Sequence, residues 1–144
     1  MILDIVTPDR RMHFTLGDEP HQLPEDVLHV VVPGAEGDFQ VLRNHAPFLS
    51  LLRTGIVQFQ LGLHKVELMV SGGFCEVGEG RVTILTEQAA YADEVDAKAE
   101  EERLKRALKE LEALGAVGTD QKDYIRSKTA ADLAKSKLSL RRDA

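Results

Sequence analysis

Five histidines, one cysteine and a serine beside two glycines are the residues with which this sequence could do chemistry. A nucleophilic site needs a base held against the nucleophile by a third group, and a metal site needs several ligands at characteristic spacings. Neither pattern is present. His13, His21, His29, His45 and His64 are scattered, without a His-Glu-x-x-His pair or cysteine companions. Ser71 lies in Val-Ser-Gly-Gly and not in a Gly-x-Ser-x-Gly elbow, so proximity to His45 would orient no base. Glu36 and Asp38 sit beside turns in polar company, a setting that does not make a perturbed acid pair. Cys75, next to Phe74 and near Val77, reads as a buried, inert thiol. Being alone, it excludes an intramolecular disulfide and a multi-cysteine metal site. Gly72-Gly73 and Gly78-Glu79-Gly80 lack the Gly-Lys-Ser/Thr of a phosphate loop, and Gly34…Gly37 lacks its strand-to-helix context. The expectation is a non-enzyme with no cofactor and no metal.

The elements that carry these residues are organised around Val31 to Leu49. Pro33-Gly34 is a turn signal, Gly37-Asp38 opens the alternating Phe39-Gln40-Val41-Leu42, and Asn44-His45-Ala46-Pro47 redirects the chain. Such a corner more often presents a binding surface than a reaction centre. Up to about residue 92 the pattern is β: Ile2–Val6, Met12–Leu16, Val27–Val32, Phe39–Leu42, Phe48–Leu51, Ile56–Leu61, Lys65–Val70, Gly73–Val77 and Arg81–Leu85. Short strands at regular intervals indicate a sandwich or barrel. Residues 17–25 are polar and rich in turn formers, which predicts a longer loop.

From Asp93 onward good helix formers dominate. Val95, Ala99, Leu104, Leu108 and Leu111, with Ala107 and Leu114 beside them, predict an amphipathic helix over 93–114 ended by Gly115. Thr119 or Asp120 then caps a second helix over 120–138, on a thin stripe of Ile125, Thr129, Leu133 and Lys137 or Leu138. The division is therefore a β domain over 1–92 and a helical hairpin with a basic tail over 93–144.

The net charge of -6 argues against general nucleic-acid binding. The helical regions are oppositely biased, -3 over residues 93–112 and +3 over residues 120–144, which favours an antiparallel pair. The opening residues lack the basic leader and apolar core of a signal peptide, and no apolar run approaches the roughly 20 residues of a membrane span. The expectation is a cytosolic chain, or one held at a membrane only through partners.

The run Gly34-Ala-Glu-Gly-Asp-Phe-Gln-Val-Leu-Arg-Asn-His-Ala-Pro-Phe-Leu49, followed by Ser71-Gly-Gly-Phe-Cys-Glu-Val77 and Arg81-Val-Thr-Ile-Leu85, resembles the epsilon subunit family of bacterial F-type ATP synthases. The likeness extends from Leu3-Asp-Ile-Val-Thr-Pro8 through the helical end. It implies a mainly β fold with an α appendage: an N-terminal ten-stranded β-sandwich followed by a C-terminal helix-turn-helix hairpin. It also implies a non-catalytic place in the central stalk, with the gamma subunit and the c-ring as partners. The hairpin would reach the alpha and beta catalytic subunits and restrain ATP hydrolysis. The chain would be peripheral on the cytoplasmic face of the bacterial plasma membrane. Glu36, Gly37 and Asp38, together with His45, Ala46 and Pro47, match loops near the rotor contacts. Lys135, Lys137, Arg141 and Arg142 are the expected inhibitory-tail residues.

Two departures stand out. Between Phe14 and Asp26 the chain is longer than the family pattern. Some members bind ATP through Ile/Leu-Asp-x-x-Arg-Ala, whereas Val95-Asp96-Ala97-Lys98-Ala99-Glu100 keeps the aspartate and has Ala99 in place of the arginine. Weak or no ATP binding is therefore expected. Beside a rotor subunit, the residues alone leave open a free-standing ATP-sensing module and a small enzyme.

Overall fold

The computed structural model describes residues 1–15, 27–117 and 121–143. The chain forms two compact units, Met1–Ala89 and Ala90–Ala144. Unit one is a β-sandwich-like sheet of eight strands: β1 (Ile2–Val6), β2 (Arg11–Phe14), β3 (Val27–Gly34), β4 (Gly37–Leu42), β5 (Phe48–Leu61), β6 (His64–Gly78), β7 (Arg81–Leu85) and β8 (Ala89–Ala90). Their hydrogen-bonded order is β2-β1-β7-β6-β5-β3-β4, with β8 also paired to β6. β1 and β7 are parallel, while β1–β2, β3–β4, β3–β5, β5–β6 and β6–β7 are antiparallel.

Alternation explains each strand's faces. In β7, Val82 and Ile84 are buried while Arg81 and Leu85 face out. The sheet curls over itself, since β2 and β5 are separated by three strands in the order yet Phe14 and Phe59 have ring centroids 4.6 Å apart. The Met1 ammonium likewise donates to Val27 O at 3.1 Å across the curl. Between the layers lie Leu3, Ile5, Phe59, Leu68 and Ile84, all fully buried. Each such side chain is worth about 1.5–3 kcal/mol, so burial dominates this unit's stability.

Two pairs of expected strands are single long ones. Phe48–Leu51 and Ile56–Leu61 merge in β5, and Lys65–Val70 and Gly73–Val77 merge in β6. Gly55 and Gly73, at the two junctions, are points of close approach. A Cβ on Gly55 would lie 2.7 Å from Pro33 Cβ, and one on Gly73, at φ +110°, would lie 1.9 Å from Leu85 O. The strands bend there and continue. β2 begins at Arg11, one residue earlier than expected, and ends at Phe14, two residues before the expected end. Leu16 and the expected loop over 17–25 lie outside the described residues.

Unit two contains a single 3-10 turn (Ala92–Glu94), α1 (Ala97–Val117) and α2 (Gln121–Asp143). α1 starts four residues later than expected because Asp96 caps it: its Oδ1 accepts the Lys98 N–H at 3.1 Å and the Ala99 N–H at 3.2 Å. Gly115 does not stop the helix; it takes no positive φ and is carried as a helical residue. α2 runs past the expected residue 138, and its expected caps Thr119 and Asp120 lie outside the described residues.

The helices run antiparallel, since Glu110 meets Ser127 while Glu100 meets Lys137. The buried stripe of α2 is Ser127, Ala131 and Ala134, continued by half-buried Leu138 and buried Leu140. Ile125 is 55% exposed and Thr129 is exposed, contrary to expectation. On α1 the packed positions are Glu100, Leu104, Ala107, Leu111 and Leu114, and Leu108 turns outward. Glu100 to Leu114 on α1 and Ser127 to Leu138 on α2 step by four and three residues, the spacing of a coiled-coil seam. Small residues let the backbones approach, so a reading that ranks positions by hydrophobicity selects Ile125 and misses Ala131. Among the described residues no helix is long and apolar enough to cross a membrane.

Candidate functional site: an exposed sheet face

The expected contact residues fall into two groups joined by β4. Gly34 pairs with Gly37 to close the β3–β4 hairpin, leaving Ala35 and Glu36 at its tip; Glu36, Gly37 and Asp38 are all exposed. Asp38 pairs with Arg53 at 2.7 Å, both about half exposed, so the pair contributes little stability. At the other end of β4, Asn44 adopts φ +62° and the His45 N–H donates to Leu42 O at 3.1 Å, which makes the corner. His45, Ala46 and Pro47 are fully on the surface, with His45 Nδ1 2.6 Å from Ala46 O. The rings of Phe39 and Phe48, 5.3 Å apart, and of His45 and Phe48, 6.0 Å apart, brace the corner against the hairpin.

The strand register reveals a feature that sequence reading missed. Leu51 stands opposite Phe74, Phe74 opposite Leu85, Leu85 beside Val6, and Val6 opposite Arg11. This row crosses five strands on the outer face of the sheet. Leu51 is 58% exposed, Phe74 50% and Leu85 50%, and neighbouring Leu49 reaches 69%. Four large apolar side chains on one solvent-facing sheet surface mark an interaction site more clearly than scattered single ones do. The signal in the sequence was Phe48-Leu-Ser-Leu-Leu52, whose consecutive apolar residues put leucine on both faces of β5.

At the β2 end of the same face lies a charged cluster. Asp4 points out of β1 on the outer face, opposite His13 and beside Thr83, yet is only 2% exposed. Arg11 donates to Asp4 Oδ1 through Nε at 3.2 Å and Nη2 at 3.1 Å, and His13 Nδ1 is 2.5 Å from the same oxygen. Arg81 donates from Nη1 to Asp4 Oδ2. Burial pushes the Asp4 carboxyl up, but these hydrogen bonds from His13, Arg11 and Arg81 outweigh it and hold it below the ordinary aspartate value. Three cation-forming side chains thus share one carboxylate. The interruption of an apolar strand by Asp4, in Ile2-Leu3-Asp4-Ile5-Val6, was its sequence signal.

The tail residues divide. Lys137 turns inward, 14% exposed, and its Nζ lies 3.3 Å from Glu100 Oε1, which also accepts from Arg103 Nη1 at 2.6 Å. Arg141 donates to Ala92 O at 3.1 Å. Lys135 and Arg142 are exposed. Asp96, the residue shared with the nucleotide motif, is engaged as the cap of α1. Cys75 is fully buried, and burial pushes its thiol up to about 12. Among the described residues no three His, Cys, Asp or Glu side chains cluster as metal ligands do.

Residues 1–92 match the family model of the ATP synthase delta/epsilon chain β-sandwich domain. The chain belongs to the ATP synthase delta/epsilon chain family. The ATP synthase epsilon chain of Maridesulfovibrio salexigens is 44% identical over 96 residues, 67% of this chain and 61% of that relative's length. The epsilon chain of Nitratidesulfovibrio vulgaris (strain DP4) is 34% identical over 142 residues, 99% of this chain and 96% of its own. Within the family it therefore falls with the epsilon chains. A chain of the Euglena gracilis mitochondrial ATP synthase, solved as OSCP/F1/c-ring, shares the fold with a TM-score of 0.71 at 24% identity, covering 96% of this chain and 79% of that one.

Proposed function

We propose that the chain is a non-catalytic subunit of the central stalk of a bacterial F-type ATP synthase, coupling ion flow to ATP synthesis. In this reading the outer sheet face packs on the gamma subunit. The corner at His45, Ala46 and Pro47 and the hairpin tip at Glu36, Gly37 and Asp38 meet the c-ring. The chain is peripheral, held on the cytoplasmic face of the plasma membrane by its partners. The observation that carries this is the row Leu51, Phe74 and Leu85, half exposed on the outside of a sheet whose other face already has a complete core. Leaving that much apolar surface wet is unfavourable at about 25 cal/mol per Å², and a permanent partner removes the cost.

The finer architecture follows the same reading. Counting bent β5 and β6 as two strands each brings the eight strands to the ten of a closed sandwich. Residues 1–92 act as the docking domain and residues 93–144 as a hairpin that reaches the alpha and beta catalytic subunits. Of the tail residues Lys135, Lys137, Arg141 and Arg142, the exposed Lys135, Arg141 and Arg142 are the cations that engage them. ATP binding by the chain itself is weak or absent, because Ala99 supplies no guanidinium and Asp96 caps the helix. The test is a pull-down of the tagged full chain from its native membrane extract. Recovery of gamma and c-ring proteins is expected; recovery of neither overturns the proposal.

A further inference from the structure

We infer that the Arg11, His13 and Arg81 cluster is an acceptor site for a carboxylate side chain of the protein that covers the apolar row. This inference rests on the docking role proposed for that face and names the chemistry of what docks there.

The cluster and the row are one surface. Arg11 is the β2 member of the row that runs through Val6, Leu85 and Phe74 to Leu51, and Arg81 and His13 flank it on the same face. The cations outnumber what they hold. Two guanidinium groups and an imidazole converge on Asp4, and no other carboxylate among the described residues pairs with them. Arg11 uses Nε and Nη2 on Asp4, and Arg81 uses Nη1. A guanidinium carries five N–H donors, so each retains outward donors, and the side chains of Arg11, His13 and Arg81 are 60%, 44% and 44% exposed. Asp4 lies beneath them at 2% exposure and fixes their orientation without reaching solvent. Glu76, opposite Leu49 on β5 and Thr83 on β7, lines one cavity with Glu79 and Arg81, and neither glutamate forms an ion pair with the cluster. With two guanidinium groups on one buried carboxylate, the cluster itself is net positive where Arg11 ends the apolar row, in a domain where acidic residues outnumber basic ones.

Such a spot favours an anion, and the continuity with the row selects a protein carboxylate over a free small anion. A partner that lays apolar side chains on Leu51, Phe74 and Leu85 delivers its acidic residue to Arg11 and Arg81 already desolvated and oriented, where charge-assisted, bidentate pairing is strongest. The cluster also fixes the direction in which the partner lies along the row.

The test is the affinity of the full chain for the gamma subunit of the same ATP synthase, measured by calorimetry with wild type, Arg11→Gln, Arg81→Gln and Phe74→Ser. Thermal midpoints are recorded for each. Losing one charge-assisted contact is expected to weaken binding by about tenfold to a hundredfold and to flatten its salt dependence. Phe74→Ser, if it weakens binding while both arginine variants bind as wild type, overturns the carboxylate site and leaves the docking face intact. Should Phe74→Ser bind as wild type, the docking face itself fails and the inference with it. If Arg81→Gln unfolds, Arg11→Gln and the wild-type salt series decide, and an affinity unchanged from low salt to about 0.3 M overturns the site.

Discussion

Asp4 stays ionised while almost fully buried because three neighbours donate to it, and this gives the β domain a defined acid sensitivity. Its folded value lies below its unfolded value of about 3.9. The stabilisation is therefore fully present above that value and is lost as pH falls through the folded one. Wild-type stability should drop more steeply than that of Asp4→Asn below about pH 4, as followed by urea unfolding at several pH values. At neutral pH the variant should be less stable by about 1–3 kcal/mol, since its partners lose a charged acceptor. Parallel acid limbs for the two proteins would contradict the assignment. Cys75 gives a second residue-scale expectation. With its thiol raised to about 12 and no exposed surface, it should resist a thiol reagent at pH 8 in the native chain and react at once in denaturant. Fast native labelling would show that β6 opens.

At the scale of elements, the hairpin is held differently from the sheet. Its seam of Ser127, Ala131, Ala134 and Ala107 buries little area, and polar clasps join the helices at Glu100–Lys137 and Glu110–Ser127. Lys137→Ala should therefore loosen the hairpin by about 1–3 kcal/mol, because Glu100 would stay buried with only Arg103 as a partner, whereas Lys135→Ala should have no effect. Helical circular dichroism during thermal unfolding reads this difference, and equal midpoints for the two variants would refute it. This is also where sequence reading succeeded and failed for physical reasons. The helices were legible because formers such as Glu, Lys, Ala and Leu are continuous, and β7 because Val82 and Ile84 alternate with polar neighbours. The packed face of α2 was not legible, since alanine seams carry no hydrophobic contrast. Long β5 and β6 were each read as two strands because the apolar pattern breaks around Gly55 and Gly73, where the backbone makes close contacts and the strand continues. The corner at Asn44 to Pro47 was legible from turn chemistry, while the outer-face row needed the register of five strands.

For the whole molecule, the two units suggest a docking part and a regulatory part. Limited proteolysis should leave residues 1–92 intact and cut first between Gly115 and Asp120; first cuts inside Val27–Leu61 would refute a self-standing β domain. The tail adds a functional consequence. Lys135, Arg141 and Arg142 are all exposed, Arg141 with one N–H on Ala92 O, whereas Lys137 turns inward onto Glu100. Lys135 and Arg142 are thus the tail cations without a part in the hairpin's own bonds among the described residues. The most direct measurement is ATP hydrolysis by an ATP synthase stripped of its own epsilon subunit and reconstituted with this chain, wild type or Lys135→Ala/Arg142→Ala, with bound chain quantified. The account predicts that both bind equally, that wild type slows hydrolysis, and that the double variant restores part of the rate, with the difference shrinking as salt shortens the screening length below about 8 Å. A chain that fails to bind the complex, or that binds and leaves hydrolysis unchanged in both forms, would contradict it.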